Sequence, residues 1–84
     1  MTIQVTLYTK PGCHLCEQAL ADLARLRRRF PHELRLVDIT AEPELMRDYG
    51  ERIPVLSING REQAAPLPAA VLEREMRRAS GGDD

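Results

Sequence analysis

The two cysteines of this 84-residue chain, Cys13 and Cys16, are separated by two residues and follow the segment Thr9-Lys10-Pro11-Gly12. Pairs with this spacing are typical of thiol–disulfide exchange or of metal binding. Exchange requires a thiolate, whereas a free cysteine with a pKa of about 8.5 is mostly protonated at neutral pH. A helix N-terminus, with its unsatisfied N–H groups, or a cation such as Lys10 would favour the thiolate. The chemistry therefore depends on whether a helix begins at this pair.

The residues on either side of the pair follow the patterns of a strand and then of a helix. Apolar residues alternate with polar ones from Ile3 to Leu7, as in a strand with one apolar face. From Cys13 or His14 to about Arg29 the pattern is helical, with an apolar stripe of Cys16, Ala19, Leu20, Leu23, Leu26 and Phe30. Sulfurs at positions i and i+3 share one helix face. Cys13, at the start of the helix, would attack a disulfide, and Cys16, one turn inside, would resolve the mixed disulfide.

The rest of the chain predicts a small α/β domain. The further elements are a strand over 34–39, a short helix over 40–50, a strand over 53–58, an edge strand over 61–64 and a last helix after Pro68. Asn59-Gly60 predicts the hairpin that joins the last two strands, and the first two strands should be parallel through a right-handed crossover. We predict the order β-α-β-α-β-β-α, with residues 1–80 as one domain and 81–84 as a disordered tail.

Composition limits the partners of the chain. A net charge of −1 gives no drive toward nucleic acid, and Arg27-Arg28-Arg29 is best interpreted as a solvated helix end. No segment approaches the ~18 apolar residues of a membrane span, and the N-terminus lacks a signal-peptide pattern. We therefore expect a cytoplasmic monomer that binds neither nucleic acid nor membrane. Structural disulfides are rare in that compartment, which favours a catalytic or metal-binding pair.

Two alternatives to disulfide exchange remain open. A zinc site needs four ligands, but His14 should diverge from the cysteines and His32 lies beyond the far end of the predicted helix. We therefore predict no metal within one chain. A metal or iron–sulfur carrier in which two chains share their cysteine pairs is not excluded, nor is a redox-regulated binding module without turnover.

The two residues between the cysteines also allow two interpretations each. His14 could tune the redox potential as a charged imidazole beside a thiolate, or it could be an exposed residue of the first turn. Leu15 is either a core residue or part of an apolar rim for a partner.

Together these motifs resemble the thioredoxin-fold superfamily, most closely the small bacterial-type glutaredoxin-like proteins. The resemblance covers Ile3 to about Ala79. It rests on three matches: the cysteine motif at residues 10–16, the strand end Val37-Asp38-Ile39, and the proline-containing segment 52–56 followed by Asn59-Gly60. It implies a glutaredoxin-like four-stranded mixed sheet flanked by three helices. It also implies a protein disulfide reductase that acts in electron transport and cell redox homeostasis.

The resemblance further implies roles for individual residues. Cys13 would be the catalytic nucleophile and Cys16 the resolving thiol. We predict as substrate-binding residues Lys10, Gly12, His14, Leu15, Ile53 and Pro54. Ile53–Pro54 would be a cis bond whose flanking backbone pairs with the substrate like an added strand, and Lys10 would hold a glutathione carboxylate.

Departures from the family bear on the electron donor. His14-Leu15 stands where dithiol glutaredoxins usually have Pro-Tyr. The Gly-Gly-x-x-Asp segment that binds the γ-glutamyl end of glutathione is replaced by residues 61–68. We expect no bound cofactor, disulfide-containing proteins or small molecules as substrates, and either glutathione or a flavoprotein reductase as donor.

Overall fold

The computed structural model describes residues 2–81, so residues 82–84 of the predicted tail lie outside the described residues. The elements are β1 (Ile3–Thr9), α1 (His14–Leu26), β2 (His32–Asp38), α2 (Pro43–Tyr49), β3 (Val55–Ile58), β4 (Arg61–Ala64) and α3 (Ala69–Ala79). The four strands form one mixed sheet in the order β2-β1-β3-β4. β1 is parallel to β2, and β3 is antiparallel to both of its neighbours. The predicted thioredoxin-like fold is confirmed.

The alternation along β1 gives the sheet two differently covered faces. Ile3, Val5 and Leu7 are buried on one face, where the core also includes Ala19, Leu23, Phe30, Leu56, Leu72 and Met76. On the other face Tyr8 stacks on Tyr49, with the ring centroids 4.2 Å apart. α1 and α3 therefore cover one face and α2 covers the other. Within residues 2–81, none of the helices is long and apolar enough to cross a membrane.

The first helix ends earlier than the sequence predicts. α1 ends at Leu26 rather than near Arg29. The N–H of Arg27 donates to the carbonyl three residues earlier at 3.3 Å, which tightens the helical turn. Phe30 is buried and precedes a proline, which disfavours helical backbone at that residue. The three consecutive arginines, expected in the last helical turn, thus lie in the turn that follows α1.

The second strand also ends one residue before its predicted end. The Asp38 carboxylate accepts hydrogen bonds from the backbone N–H of Thr40 at 2.8 Å and from its hydroxyl at 2.6 Å. These bonds cap a short 3₁₀ turn, Ile39–Ala41, that leads towards α2. Ile39 is consequently buried beside the sheet instead of extending the strand.

Asn59 and Gly60 form the predicted turn between β3 and β4. Their φ angles are 50° and 87°, and a two-residue hairpin of type I′ requires positive φ at both positions. The Asn59 side-chain oxygen also accepts a hydrogen bond from the backbone N–H of Gln4 at 2.9 Å. The backbone N–H of Asn59 donates to the Gln4 carbonyl at 2.8 Å. The turn is therefore tied to the beginning of β1.

Replacing Asn59 by alanine should lower the free energy of unfolding by about 1–2 kcal/mol. Alanine loses the hydrogen bond from Gln4 and disfavours the left-handed backbone. Urea unfolding followed by circular dichroism measures the loss. Asn59→Gly is the matched control, since glycine accepts positive φ but cannot accept the hydrogen bond. Equal stabilities of the two variants would contradict a contribution from backbone strain.

Candidate functional site

A tight turn carries the chain from β1 to the first cysteine. The N–H of Cys13 donates to the Lys10 carbonyl at 3.3 Å and closes a four-residue turn with Pro11 and Gly12 at its centre. Gly12 has a φ of 76°, which the third position of a type II turn requires, and proline suits the second position. The Pro-Gly pair thus sets the direction in which the chain enters α1.

Cys13 is the N-cap residue of that helix. Its backbone is extended, with φ −89° and ψ 104°, and its Sγ accepts a hydrogen bond from the N–H of Cys16 at 3.2 Å. Its carbonyl accepts the first helical hydrogen bond, from the N–H of Glu17 at 3.1 Å. The sulfur therefore stands where a Ser or Asp oxygen commonly caps a helix. A thiolate at this place faces the positive end of the helix dipole.

The two cysteines form a disulfide across the first turn of α1, with their Cα atoms 5.2 Å apart. Cys13 is half-buried, whereas Cys16 is only 2% exposed and lies on the core side of the helix. The first cysteine is therefore the more accessible of the two. The roles of attack and resolution stay predictions.

Two polar residues, one between the cysteines and one before them, lie on the surface near the pair. His14 is exposed, and its Nε2 lies 3.3 Å from the side-chain nitrogen of Gln18, one turn further along the helix. Lys10 is exposed as well. The exposed position agrees with the plainer of the two interpretations of His14, and a redox role for it stays a prediction.

The loop before β3 carries the proline that the resemblance singled out. The Ile53–Pro54 bond is cis, as the resemblance implies. Pro54 is fully buried, and Ile53 is half-buried. The N–H of Ile53 donates to the Tyr49 carbonyl at 3.2 Å, so the end of α2 holds this loop in place.

An open groove of about 380 Å³ lies next to the cysteine motif. α1 contributes Leu15, Gln18 and Asp22 to one wall, and Pro54 and residues 65–69 form the other. Leu15 is 58% exposed, which makes it a rim residue rather than a core residue. The sequence reasoning missed Gln18 and Asp22, although their spacing of three and seven residues from Leu15 places all three on one helix face.

An aromatic cluster on the α2 face was also not predicted. The Tyr49 hydroxyl donates to the Glu62 carboxylate at 2.7 Å, and the Arg52 guanidinium lies 5.2 Å from the centre of the Tyr49 ring. The hydrogen bond to Glu62, assisted by burial, raises the pKa of Tyr49 above its ordinary value of 10.0. Tyr8 completes the cluster by stacking on Tyr49. Tyr8 and Glu62 are far from Tyr49 in the chain, so no local spacing signals their contacts with it.

The histidines do not join the cysteines in a metal site. His32 opens β2, after the far end of α1, and is buried with its Nδ1 2.8 Å from the Phe30 carbonyl oxygen. Within the described range 2–81, no group of three or more His, Cys, Asp or Glu side chains converges on a point where a metal could be held.

Comparisons with known proteins add an independent line of evidence. Residues 4–80 match the family described as glutaredoxin-like domain (DUF836). An uncharacterized protein of Mycobacterium tuberculosis is 32% identical over 66 residues, which cover 73% of this chain and 68% of that protein.

Solved structures agree with the family match. The X-ray structure of a structural-genomics target from X. campestris has 36% identity and a TM-score of 0.77, covering 88% of this chain and 96% of that one. The solution structure of glutaredoxin from Brucella melitensis has 30% identity and a TM-score of 0.63, covering 94% of this chain and 87% of that one.

Replacing Tyr49 by phenylalanine should weaken the loss of stability at alkaline pH. Because the folded-state pKa of Tyr49 lies above that of the unfolded chain, its contribution is complete below about pH 10 and is lost as the pH rises further. Urea unfolding between about pH 7 and pH 11 should show a steeper decline for the parent protein than for Tyr49→Phe. Both proteins should carry serine in place of the cysteines, which removes thiol titration.

Tyr8→Phe is the matched control, since it also removes a tyrosine hydroxyl but leaves the bond between Tyr49 and Glu62. Because the bond to Glu62 is the largest cause of the raised Tyr49 pKa and Tyr8 contributes less, Tyr8→Phe should retain most of the steep decline. Parallel stability curves for the parent and Tyr49→Phe would contradict the proposed source of the pKa shift.

Proposed function

Because this chain belongs to the glutaredoxin-like domain family, we propose that it is a thiol–disulfide oxidoreductase that reduces disulfides through a mixed disulfide on Cys13. The observation that carries the proposal is the place of the Cys13 sulfur. It caps α1 and accepts a hydrogen bond from the N–H of Cys16 at 3.2 Å, and it belongs to the more exposed of the two cysteines. A thiolate in that place is stabilised by the helix N-terminus and can be reached by a substrate.

The reaction proceeds by two exchanges. The Cys13 thiolate attacks one sulfur of the substrate disulfide, whose S–S bond breaks, and the other sulfur leaves as a thiolate that takes up a proton. Cys16 then loses its proton and attacks the Cys13 sulfur of the mixed disulfide, which releases the second substrate thiol. The protein gives up two electrons and the Cys16 proton, the other proton comes from solvent, and the protein is left with the Cys13–Cys16 disulfide.

The helix geometry suits the second exchange. The Cα separation of 5.2 Å lies within the range found in protein disulfides, so this helix turn holds the two cysteines at a distance that the bond can span. Burial of Cys16 keeps external disulfides away from its sulfur. It therefore reacts with the sulfur of Cys13, three residues before it, in preference to a second substrate.

The proposal includes partners and a compartment. Disulfide-containing proteins or small molecules are the substrates, and glutathione or a flavoprotein reductase supplies the electrons. Lys10 is the proposed contact for a glutathione carboxylate, and the backbone beside Pro54 is the proposed pairing edge for the substrate. The cytoplasm, where thiols are kept reduced, is the proposed location. Offering the oxidised protein either reduced glutathione or a reductase with NADPH, and following thiol appearance, identifies the donor.

Replacing Cys13 by serine should lower disulfide reduction to the rate seen without protein, because no thiolate remains at the helix N-cap. Cys16→Ser should instead accumulate mixed disulfides, because nothing resolves them. Reduction of a chromogenic disulfide measures the first effect, and intact-protein mass spectrometry under non-reducing conditions measures the second.

Met46→Ser is a suitable control, since Met46 is an exposed apolar residue on α2, across the sheet from the cysteine helix. It should retain the activity of the parent protein. Reduction by Cys13→Ser as fast as by the parent protein would overturn the proposed function.

A further inference from the structure

The composition of the groove beside Leu15 indicates what it binds. Leu15, Pro54 and the segment 65–69 give it mainly aliphatic walls. Among the described residues that line it, the single charged side chain is the carboxylate of Asp22. An apolar groove with a few polar groups, and with a volume near the small end of the range for ligand sites, suits one side chain of a peptide.

The same walls disfavour an anionic ligand. Glutathione carries two carboxylates at neutral pH, and proteins bind such groups with cations or with free backbone N–H groups. Asp22 places a negative charge on the α1 wall, although Arg25 pairs with it. Pro66 and Pro68 on the opposite wall have no N–H to donate, which leaves the N–H groups at the start of α3, where Ala69 lines the groove, as the donors that an anion could meet there. No cationic side chain is among the described residues that line the groove, so neither carboxylate of glutathione would find an oppositely charged side chain in it.

We propose that this groove binds an apolar side chain of a polypeptide, next to the cysteine whose disulfide Cys13 attacks. The substrates are then protein disulfides flanked by aliphatic or aromatic residues, in preference to glutathione disulfides. This inference rests on the proposed function and names the substrate class of the same site.

Leu15 connects the groove to the chemistry. It stands between the two cysteines in the chain and is 58% exposed at the rim. A polypeptide whose sulfur has reached Cys13 consequently has its neighbouring residue within reach of the groove. Contact between an apolar side chain and Leu15 removes both from water, and this gain is absent for a polar side chain.

The test is a single-turnover reaction of the reduced 84-residue chain with disulfide-linked peptides. The peptides are identical except for leucine, serine or glutamate next to the cysteine, and oxidised glutathione is the fourth substrate. The protein dithiol supplies both electrons, so the physiological donor is not needed. We expect the leucine peptide to react about tenfold faster than the serine peptide, the range that a buried aliphatic group gives in discrimination. The glutamate peptide and oxidised glutathione should both react more slowly than the leucine peptide.

Variants on both sides of the groove sharpen the test. Leu15→Ser should bring the ratio of the leucine to the serine rate close to one. Asp22→Asn should raise the rate with the glutamate peptide relative to the leucine peptide, because it removes the repelling carboxylate. Met46→Ser, which replaces an exposed apolar residue of α2, should keep the selectivity of the parent protein.

The outcomes separate this inference from the proposed function. Equal rates with all three peptides, or a faster reaction with oxidised glutathione than with the leucine peptide, would overturn the groove assignment and leave the oxidoreductase intact. Selectivity that survives in Leu15→Ser would also overturn it. Failure to reduce any of the disulfides would overturn both proposals.

Discussion

One turn of α1 has to hold one sulfur near solvent and the other in the core, and the rest of the site depends on this constraint. Ala19 and Leu23 pack the helix against the sheet and so fix its rotation about its own axis. Cys16 shares their face and is therefore buried. Cys13, at the N-cap, has left the helical path and remains accessible. The difference in access between the two sulfurs thus follows from core packing and helix capping, without any special residue between them.

Elements specified by local chemistry could be predicted from the sequence. β1 could be predicted because its alternate residues face one core. The turn at Asn59-Gly60 could be predicted because few residue pairs adopt positive φ at both central positions of a hairpin turn. The start of α1 at the cysteine pair was equally visible, since Pro11-Gly12 interrupts the strand immediately before a helical pattern. In each case a few neighbouring residues contain the whole physical reason for the structure.

Features that depend on competing or distant contacts could not be predicted in this way. The helical pattern continues to Phe30, but α1 ends at Leu26. Phe30 reaches the core from the turn that follows the helix. The predicted second strand ran through Asp38 to Ile39, yet the hydrogen bonds of the Asp38 carboxylate to Thr40 turn the chain one residue earlier. Leu15 was ambiguous, because an apolar residue in a first helical turn can face either a core or a groove.

The groove itself joins segments that the sequence keeps far apart, and their connections explain how its second wall is held. The N–H of Ala65 donates to the Arg52 carbonyl at 3.3 Å, which ties the loop before α3 to the loop that carries Pro54. The loop that carries Pro54 is fixed in turn by Tyr49, whose carbonyl accepts hydrogen bonds from the N–H groups of Arg52 and Ile53 at 2.9 and 3.2 Å. This wall is therefore anchored on α2, across the sheet from the helix that bears the cysteines.

Both walls are held by the core, to which Leu67 of the second wall belongs, but the second wall also has supports of its own. The α1 wall is held by the core between the sheet and the two helices on its face, and it positions the sulfurs. The opposite wall is held by hydrogen bonds to α2 and by the cluster of Tyr8, Tyr49 and Glu62. Leu67 is buried in that core, whereas Pro66 and Pro68 are exposed, so the composition of the segment can change at the two prolines with little effect on the capping geometry at Cys13. A proline-rich segment in place of a glycine-rich, acidic one is a change of this kind, since it alters which side chains and N–H groups meet the substrate and leaves the reacting sulfurs where they are.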